Sequence, residues 1–178
     1  MAQSATIFKA EVQISDMNRH YYAAHHLTLA RHPSETDLRM MLRILVFAIH
    51  ASDQLAFTRG ISSDDEPDIW EKNLSGDIEL WIDLGTPDEK RIRKACGLAK
   101  KAIVYTYNQR SADIWWQKNM NHLQRHQNLQ VIQISDETAD ALSNLVQRTM
   151  QLQMTIQDDD VYLGDKDTNI PVKCNQLK

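Results

Sequence analysis

The sequence predicts an α/β (α+β) fold, a mixed β-sheet with flanking helices. Three observations carry that prediction. From Phe8 onward residues 6–15 alternate, with Phe8, Ala10, Val12 and Ile14 apolar and Lys9, Glu11 and Gln13 polar, the period of a strand with one buried face. Leu38, Met41, Leu42, Leu45 and Ile49 recur at helical spacing. Across residues 35–107 the order reads helix, strand, strand, strand, helix, strand. Three strands joined by short loops are antiparallel neighbours, and the strand after the second helix returns parallel through a crossover.

The elements follow in order. Asp16-Met17-Asn18 is turn-forming, so residues 20–30 form the partner strand of a hairpin. Ser34 opens a helix, with Asp37 as the acid of a capping box, and that helix ends near His50. Residues 54–58 and 68–72 are short strands, and 77–84 is the clearest strand of the chain. Pro87 suits the first turn of a helix running to about Lys100. Residues 102–107 form a strand, 112–124 a helix and 129–134 a strand. Ser135 or Asp136 caps a helix through about Arg148, and residues 150–157 and 161–163 make a final hairpin. The last dozen residues are polar and read as loose.

With 178 residues and no Pro/Gly/Ser-rich linker, the chain reads as a single domain, 1–178. Cys96 and Cys174 lie far apart, without metal-ligand spacing, as in a reducing compartment. The N-terminus lacks the basic and apolar regions of a signal peptide, and the apolar runs fall short of a membrane span. A soluble, cytoplasmic protein with no membrane partner is expected. The net charge of −4 argues against a large duplex-binding footprint, which is usually basic. It leaves room for a small site, because charge is uneven. Asp64, Asp65, Glu66 and Asp68 crowd one loop, while Lys90, Arg91, Arg93, Lys94, Lys100 and Lys101 crowd one helix and its exit.

In strand 77–84, alternation puts Glu79, Trp81 and Asp83 on one face and Ile78, Leu80, Ile82 and Leu84 on the other, the core face. Carboxylates buried without partners are costly, so Glu79 and Asp83 need a metal, a cation or water. Asp68, on the preceding strand, reaches the same face if the two strands pair. Three such oxygen ligands suit Mg²⁺ or Mn²⁺, which would polarise a phosphoryl oxygen and activate water. The plainer alternative is a solvated strand face. In the helix from Pro87, Arg91 falls at the edge of the apolar arc and Lys94 borders it. Such a cation either finds an anion, a site carboxylate or a substrate phosphate, or packs its stem and keeps its head wet. Glu35 is a possible fourth carboxylate, or simply an acid favoured by the first turn of its helix.

Glu66-Pro67-Asp68-Ile69-Trp70, the run from Trp81 to Cys96, Val104-Tyr105-Thr106-Tyr107 and the opening Ala5-Thr6-Ile7-Phe8-Lys9 resemble the YaeQ family of small bacterial proteins. The Pro-Asp pair followed by an acid in an apolar strand also resembles the PD-(D/E)XK nuclease-like superfamily. That resemblance implies a restriction-endonuclease-like core at about 34–108 with an added N-terminal β-hairpin. It also implies a Mg²⁺- or Mn²⁺-dependent nuclease acting on nucleic acid, and the strand pattern offers Asp68, Glu79 and Asp83 as its metal ligands. The superfamily pattern assigns the first acid to Asp68 and the second to Glu79, with a lysine two residues later. Trp81 stands there instead, and tryptophan cannot deprotonate water. Two repairs are open. Lys94 or Arg91 projects into the site from the next helix, or Asp83 is the working second acid and Gly85 the vacant lysine position. If neither holds, the fold remains as a nucleic-acid- or protein-binding module without chemistry.

Other clusters carry less. His25 and His26 are adjacent on a strand and point to opposite faces, so they cannot chelate one ion. Trp115 and Trp116 are either a base-stacking platform or core anchors. No P-loop, dinucleotide fingerprint, zinc pattern or nucleophile elbow is present.

Overall fold

A computed structural model of the chain describes residues 4–178. The elements begin with β1 (Thr6–Asp16), β2 (Tyr21–Arg31), α1 (Asp37–His50), β3 (Leu55–Phe57), β4 (Ile69–Lys72) and β5 (Ile78–Leu84). They continue with α2 (Glu89–Leu98), β6 (Ala99–Thr106), α3 (Gln109–Leu123), β7 (Leu129–Ile134) and α4 (Asp136–Ser143). The chain closes with β8 (Thr149–Gln157), β9 (Asp160–Gly164), β10 (Asn169–Pro171) and β11 (Cys174–Gln176). Among the described residues this is a mixed α+β fold of two sheets and four helices. None of its helices is long and apolar enough to cross a membrane.

Contacts within the chain cluster into two compact units. The first comprises the residues up to His50 and Glu137–Lys173, the second Ala51–Asp136 and Cys174–Lys178. The chain passes between the two sets three times, after His50, Asp136 and Lys173. No single stretch of sequence is therefore a boundary, and a search for linkers finds none.

The first unit holds a five-stranded sheet ordered β10-β9-β8-β1-β2. β1 and β2 form the expected hairpin, paired from Thr6↔Arg31 to Asp16↔Tyr21. Asp16 shapes the turn by accepting the Asn18 and Arg19 N–H groups, each at 3.1 Å. β8 runs parallel to β1 and is extended antiparallel by β9. α1 is buried from Met40 to Ala48, Arg43 included. A buried guanidinium needs an anion, and Glu35 supplies one with two charge-assisted bonds of 2.8 and 2.7 Å. The cap of α1 is Thr36, whose hydroxyl accepts the Arg39 N–H at 3.1 Å, rather than Ser34.

The second unit holds a six-stranded sheet ordered β11-β7-β6-β5-β4-β3. β3, β4 and β5 are antiparallel neighbours, and β5, β6 and β7 are parallel, as the element order requires. Trp81, Ala102, Val104 and Val131 of the sheet share one core cluster with Ile92 and Ala95 of α2 and Leu123 of α3. The solvated-face alternative therefore fails at Trp81 and Asp83, which are 1% and 2% exposed. Residues 144–148 leave the helical path, so α4 is shorter than its pattern suggests. The tail forms β10 and β11 instead of a loose end, because β9 and β7 offer open edges for three residues each.

Two glycines test the backbone in opposite directions. At Gly164 a Cβ would lie 1.9 Å from the Thr168 carbonyl oxygen, which is backbone and cannot swing away. At Gly97, in α2, nothing lies within 4 Å of the corresponding position. Gly164→Ala should destabilise the chain by roughly 2 kcal/mol or more, and Gly97→Ala should stabilise it by about 0.4–1 kcal/mol. Urea denaturation of both variants measures the two signs.

Candidate functional site

The C-terminal end of β5 is where charge is buried. Asp83 sits there at 2% exposure, and its two oxygens have separate donors. Oδ2 accepts the Trp81 indole N–H at 2.8 Å, and Oδ1 accepts from Arg91 Nη2 at 2.8 Å. Arg91 reaches it for a geometric reason. It lies in the first turn of α2, capped by Asp88, whose carboxylate accepts the Arg91 N–H at 2.8 Å. Helical side chains lean toward the N-terminus, so the guanidinium points back to the strand end from which α2 departs. The same guanidinium donates to the Glu66 carbonyl at 2.7 Å and the Asp64 carbonyl at 3.5 Å. It thereby ties the acidic loop to strand and helix.

Asp68 comes from that loop's exit into β4. Its N–H donates to the Ile82 carbonyl at 3.0 Å, and its Oδ2 accepts the Leu84 N–H at 2.8 Å. It thus grips the residues on either side of Asp83 and is 3% exposed. The Asp83 carboxyl is held above its ordinary value, first by burial and further by the charge of Asp68. The Arg91 and Trp81 hydrogen bonds oppose that shift without cancelling it.

The remaining candidates lie elsewhere. Glu79 is bonded to Lys100 Nζ at 2.6 Å and to the Asn73 amide at 3.0 Å. Four residues of strand separate it from Asp83, about 13 Å. β5 also carries one extra residue here, since Ile78 and Leu80 pair with the consecutive Lys72 and Glu71. Lys94 faces outward and pairs with Asp65 at 2.5 Å. Glu35 belongs to the first unit, where Arg43 and Arg39 hold it. The structure therefore joins Asp68, Asp83 and Arg91 and separates them from Glu79, Lys94 and Glu35. Gly85 stands two residues after Asp83 with a φ of +101°, and a Cβ there would meet nothing closer than 4.0 Å.

Sequence reasoning missed Trp81 as a donor. Its i, i+2 spacing from Asp83 on one strand face was the available signal. The Leu84 N–H and the Glu66 carbonyl are backbone groups, and residue type cannot reveal them. Trp115 and Trp116 pack against the core cluster, and the Trp115 indole donates to the Pro87 carbonyl at 2.8 Å. They are anchors for α3. His25 bonds the Tyr21 hydroxyl at 2.6 Å, while His26 lies 3.7 Å from Glu11.

The YaeQ protein family model matches residues 1–174. The chain belongs to the YaeQ family. It is 48% identical over 172 residues to YaeQ of Escherichia coli (strain K12), a protein described as uncharacterised, covering 97% of this chain and 95% of that one. To YaeQ of Salmonella typhi it is 46% identical over 173 residues, covering 97% and 96%. Among solved structures, YaeQ from Xanthomonas axonopodis pv. citri superposes with a TM-score of 0.93 at 46% identity, covering 98% of this chain and 99% of that one. YaeQ from Pseudomonas syringae gives 0.92 at 29% identity, covering 98% and 96%.

Two measurements check this geometry. Removing one member of a buried ion pair costs roughly 3–5 kcal/mol, and partial exposure of the Arg91 side chain (22%) reduces that figure. Arg91→Met should cost about 1–3 kcal/mol, and Arg91→Met with Asp83→Asn less than the sum of the single changes, by chemical denaturation. For Glu79 the Lys100 hydrogen bond holds the carboxyl below its ordinary 4.5. A depressed acid contributes stability above its unfolded value and loses it as pH falls through the folded one. The stability difference between wild type and Glu79→Gln should therefore be present above pH 4.5 and disappear on acidification below it.

Proposed function

We propose that the second unit carries a variant PD-(D/E)XK nuclease-like site that hydrolyses phosphodiester bonds of nucleic acid with Mg²⁺ or Mn²⁺, in the cytoplasm. One observation carries the reading. Asp68 grips the strand on both sides of Asp83, and a helix-borne cation, Arg91, reaches the same carboxylate. Of the two repairs, this combines Asp83 as second acid with a cation from the following helix.

The donor set bears on the metal. Among the described residues no group of three His, Cys, Asp or Glu side chains is arranged to hold an ion. Mg²⁺ is commonly bound through one or two carboxylates, with waters and substrate phosphate completing its shell. Asp68 and Asp83 fit that smaller set. A metal bound there would polarise a phosphoryl oxygen and lower the pKa of a bound water. The chain's own groups do the rest. Trp81 orients the Asp83 carboxylate through its indole N–H. Arg91 offers a planar fork of donors to a phosphodiester oxygen, whereas Lys94 is committed to Asp65. Glu35, committed to Arg43, takes no part.

A second reading is a binding module without catalysis, taking nucleic acid or protein. Its specific support is that both oxygens of Asp83 already have donors while Gly85 stands where the lysine would be.

Calorimetric titration of Mn²⁺ into wild type, Asp68→Ala and Asp83→Ala separates the two. The first reading expects one site in the wild type, at least tenfold weaker in either variant, with cleavage of labelled single-stranded, duplex or branched DNA by the wild type alone. Equal and negligible Mn²⁺ binding in all three would sink it. Salt-sensitive DNA binding without cleavage would select the second.

A further inference from the structure

The first unit contains a strand edge that its own sheet does not fill. Thr149–Ile156 of β8 pair with Lys9–Asp16 of β1 on one side. On the other side only Gln153–Gln157 pair with β9, from Gly164 back to Asp160. Thr149, Met150, Gln151 and Leu152 thus have ladder partners on one edge alone among the described residues. An unpaired edge is a template for an added strand.

The lane beside this edge is open for a structural reason. β9 ends at Gly164, where the chain folds back so tightly that a Cβ would collide with Thr168. Asp165 fixes the turn, its Oδ1 accepting the Asp167 and Thr168 N–H groups at 2.9 and 2.8 Å. The polypeptide that would have continued along β8 is diverted into β10 instead. What remains is a cavity of about 400 Å³ lined by Leu145, Gln147, the free segment of β8 and the turn Asp165–Asp167. Four strand residues span about 13 Å.

From this geometry we infer that β8 takes an extended peptide of a partner protein as an added strand along Thr149–Leu152. The edge dictates the pattern of that peptide. Met150 and Leu152 are buried on the inner face, whereas Thr149 and Gln151 are exposed on the outer. The incoming residues therefore alternate, apolar beside Met150 and Leu152, polar beside Thr149 and Gln151. Charge sets the end. The turn carries two carboxylates against one lysine, and Asp167 projects into solvent, 75% exposed, with a loose 3.9 Å contact to Lys166. A lysine or arginine at the turn end of the peptide complements it. Main-chain bonds supply affinity in such additions, and alternate side chains supply selectivity.

The test uses the full chain and fluorescein-labelled hexapeptides. The set comprises Lys-Val-Thr-Val-Thr-Val, its reversed sequence, and both with glutamate replacing lysine. Anisotropy should report saturable binding of a lysine peptide, at least tenfold weaker for the Asp167→Lys variant and restored there by the matching glutamate peptide. Hydrogen exchange should show protection confined to Thr149–Leu152. Absence of saturable binding by the whole set overturns the inference, as does equal binding to the Asp167→Lys variant or protection elsewhere. A concentration-dependent dimer that itself protects Thr149–Leu152 would give the edge to a second copy and also overturn it. Among the described residues the Asp167 side chain bonds no backbone group, and an unchanged Tm confirms that the variant is folded.

Discussion

The second unit is organised around a carboxylate that its strand buries. An ionised group taken out of water needs donors on every oxygen, and Asp83 obtains them from two directions. Trp81 donates from the same strand, so β5 must keep its alternation to the end. Arg91 donates from the next helix, so α2 must leave the strand at an angle that returns its first turn to the strand end. Because Arg91 also holds the carbonyls of Asp64 and Glu66, satisfying Asp83 fixes the acidic loop as well. Asp68, at the exit of that loop, then continues the ladder beyond β4 with a side-chain oxygen in place of a carbonyl. Strand, helix and loop are mutually constrained by one buried charge.

Periodic elements were legible because periodicity reports burial directly. The β1–β2 hairpin shows this most cleanly, its buried and exposed positions alternating along both strands. Errors fell where local chemistry competes with pattern. His32, Pro33 and Ser34 form their own polar turn, with Ser34 Oγ 2.7 Å from His32 Nδ1, so Ser34 is unavailable as a cap and the helix starts three residues later. The last dozen residues have little apolar character of their own. Their order comes from open edges of β7 and β9, a tertiary effect that single-strand patterning does not contain.

Residue type and spacing picked out Asp68, Asp83 and Arg91, which the fold brings together, but could not separate them from Glu79. Strand alternation places Glu79 and Asp83 on one face, yet a shared face is not a shared point. The distance along the strand and the extra residue in β5 take Glu79 to Asn73 and Lys100. Trp81 shows the converse. Compared with the nuclease pattern it reads as a missing lysine, whereas its indole is a neutral donor that orients the acid without adding charge. A lysine at that position would have left Asp83 without this bond and placed an ammonium inside the apolar cluster of Ile92, Ala95 and Val104, where desolvation opposes it.

The formal charges at the site bear on how it would operate under the proposed reading. Two carboxylates and one guanidinium leave a single negative charge. Under that reading a divalent cation would turn this into a single positive charge, buried among groups that are nearly all excluded from water, and a phosphodiester would return it to zero. Metal and nucleic acid would then favour each other's binding, each supplying the counter-charge that the other lacks. Arg91 is the hinge of that balance. While it bonds Asp83 it would compete with a cation for the carboxylate, and a bound phosphate would give its donors a second anion to face. The same guanidinium holds the Asp64–Glu66 loop, so its transfer from carboxylate to phosphate would also loosen the loop, and occupancy of the site would be felt as a change in loop order.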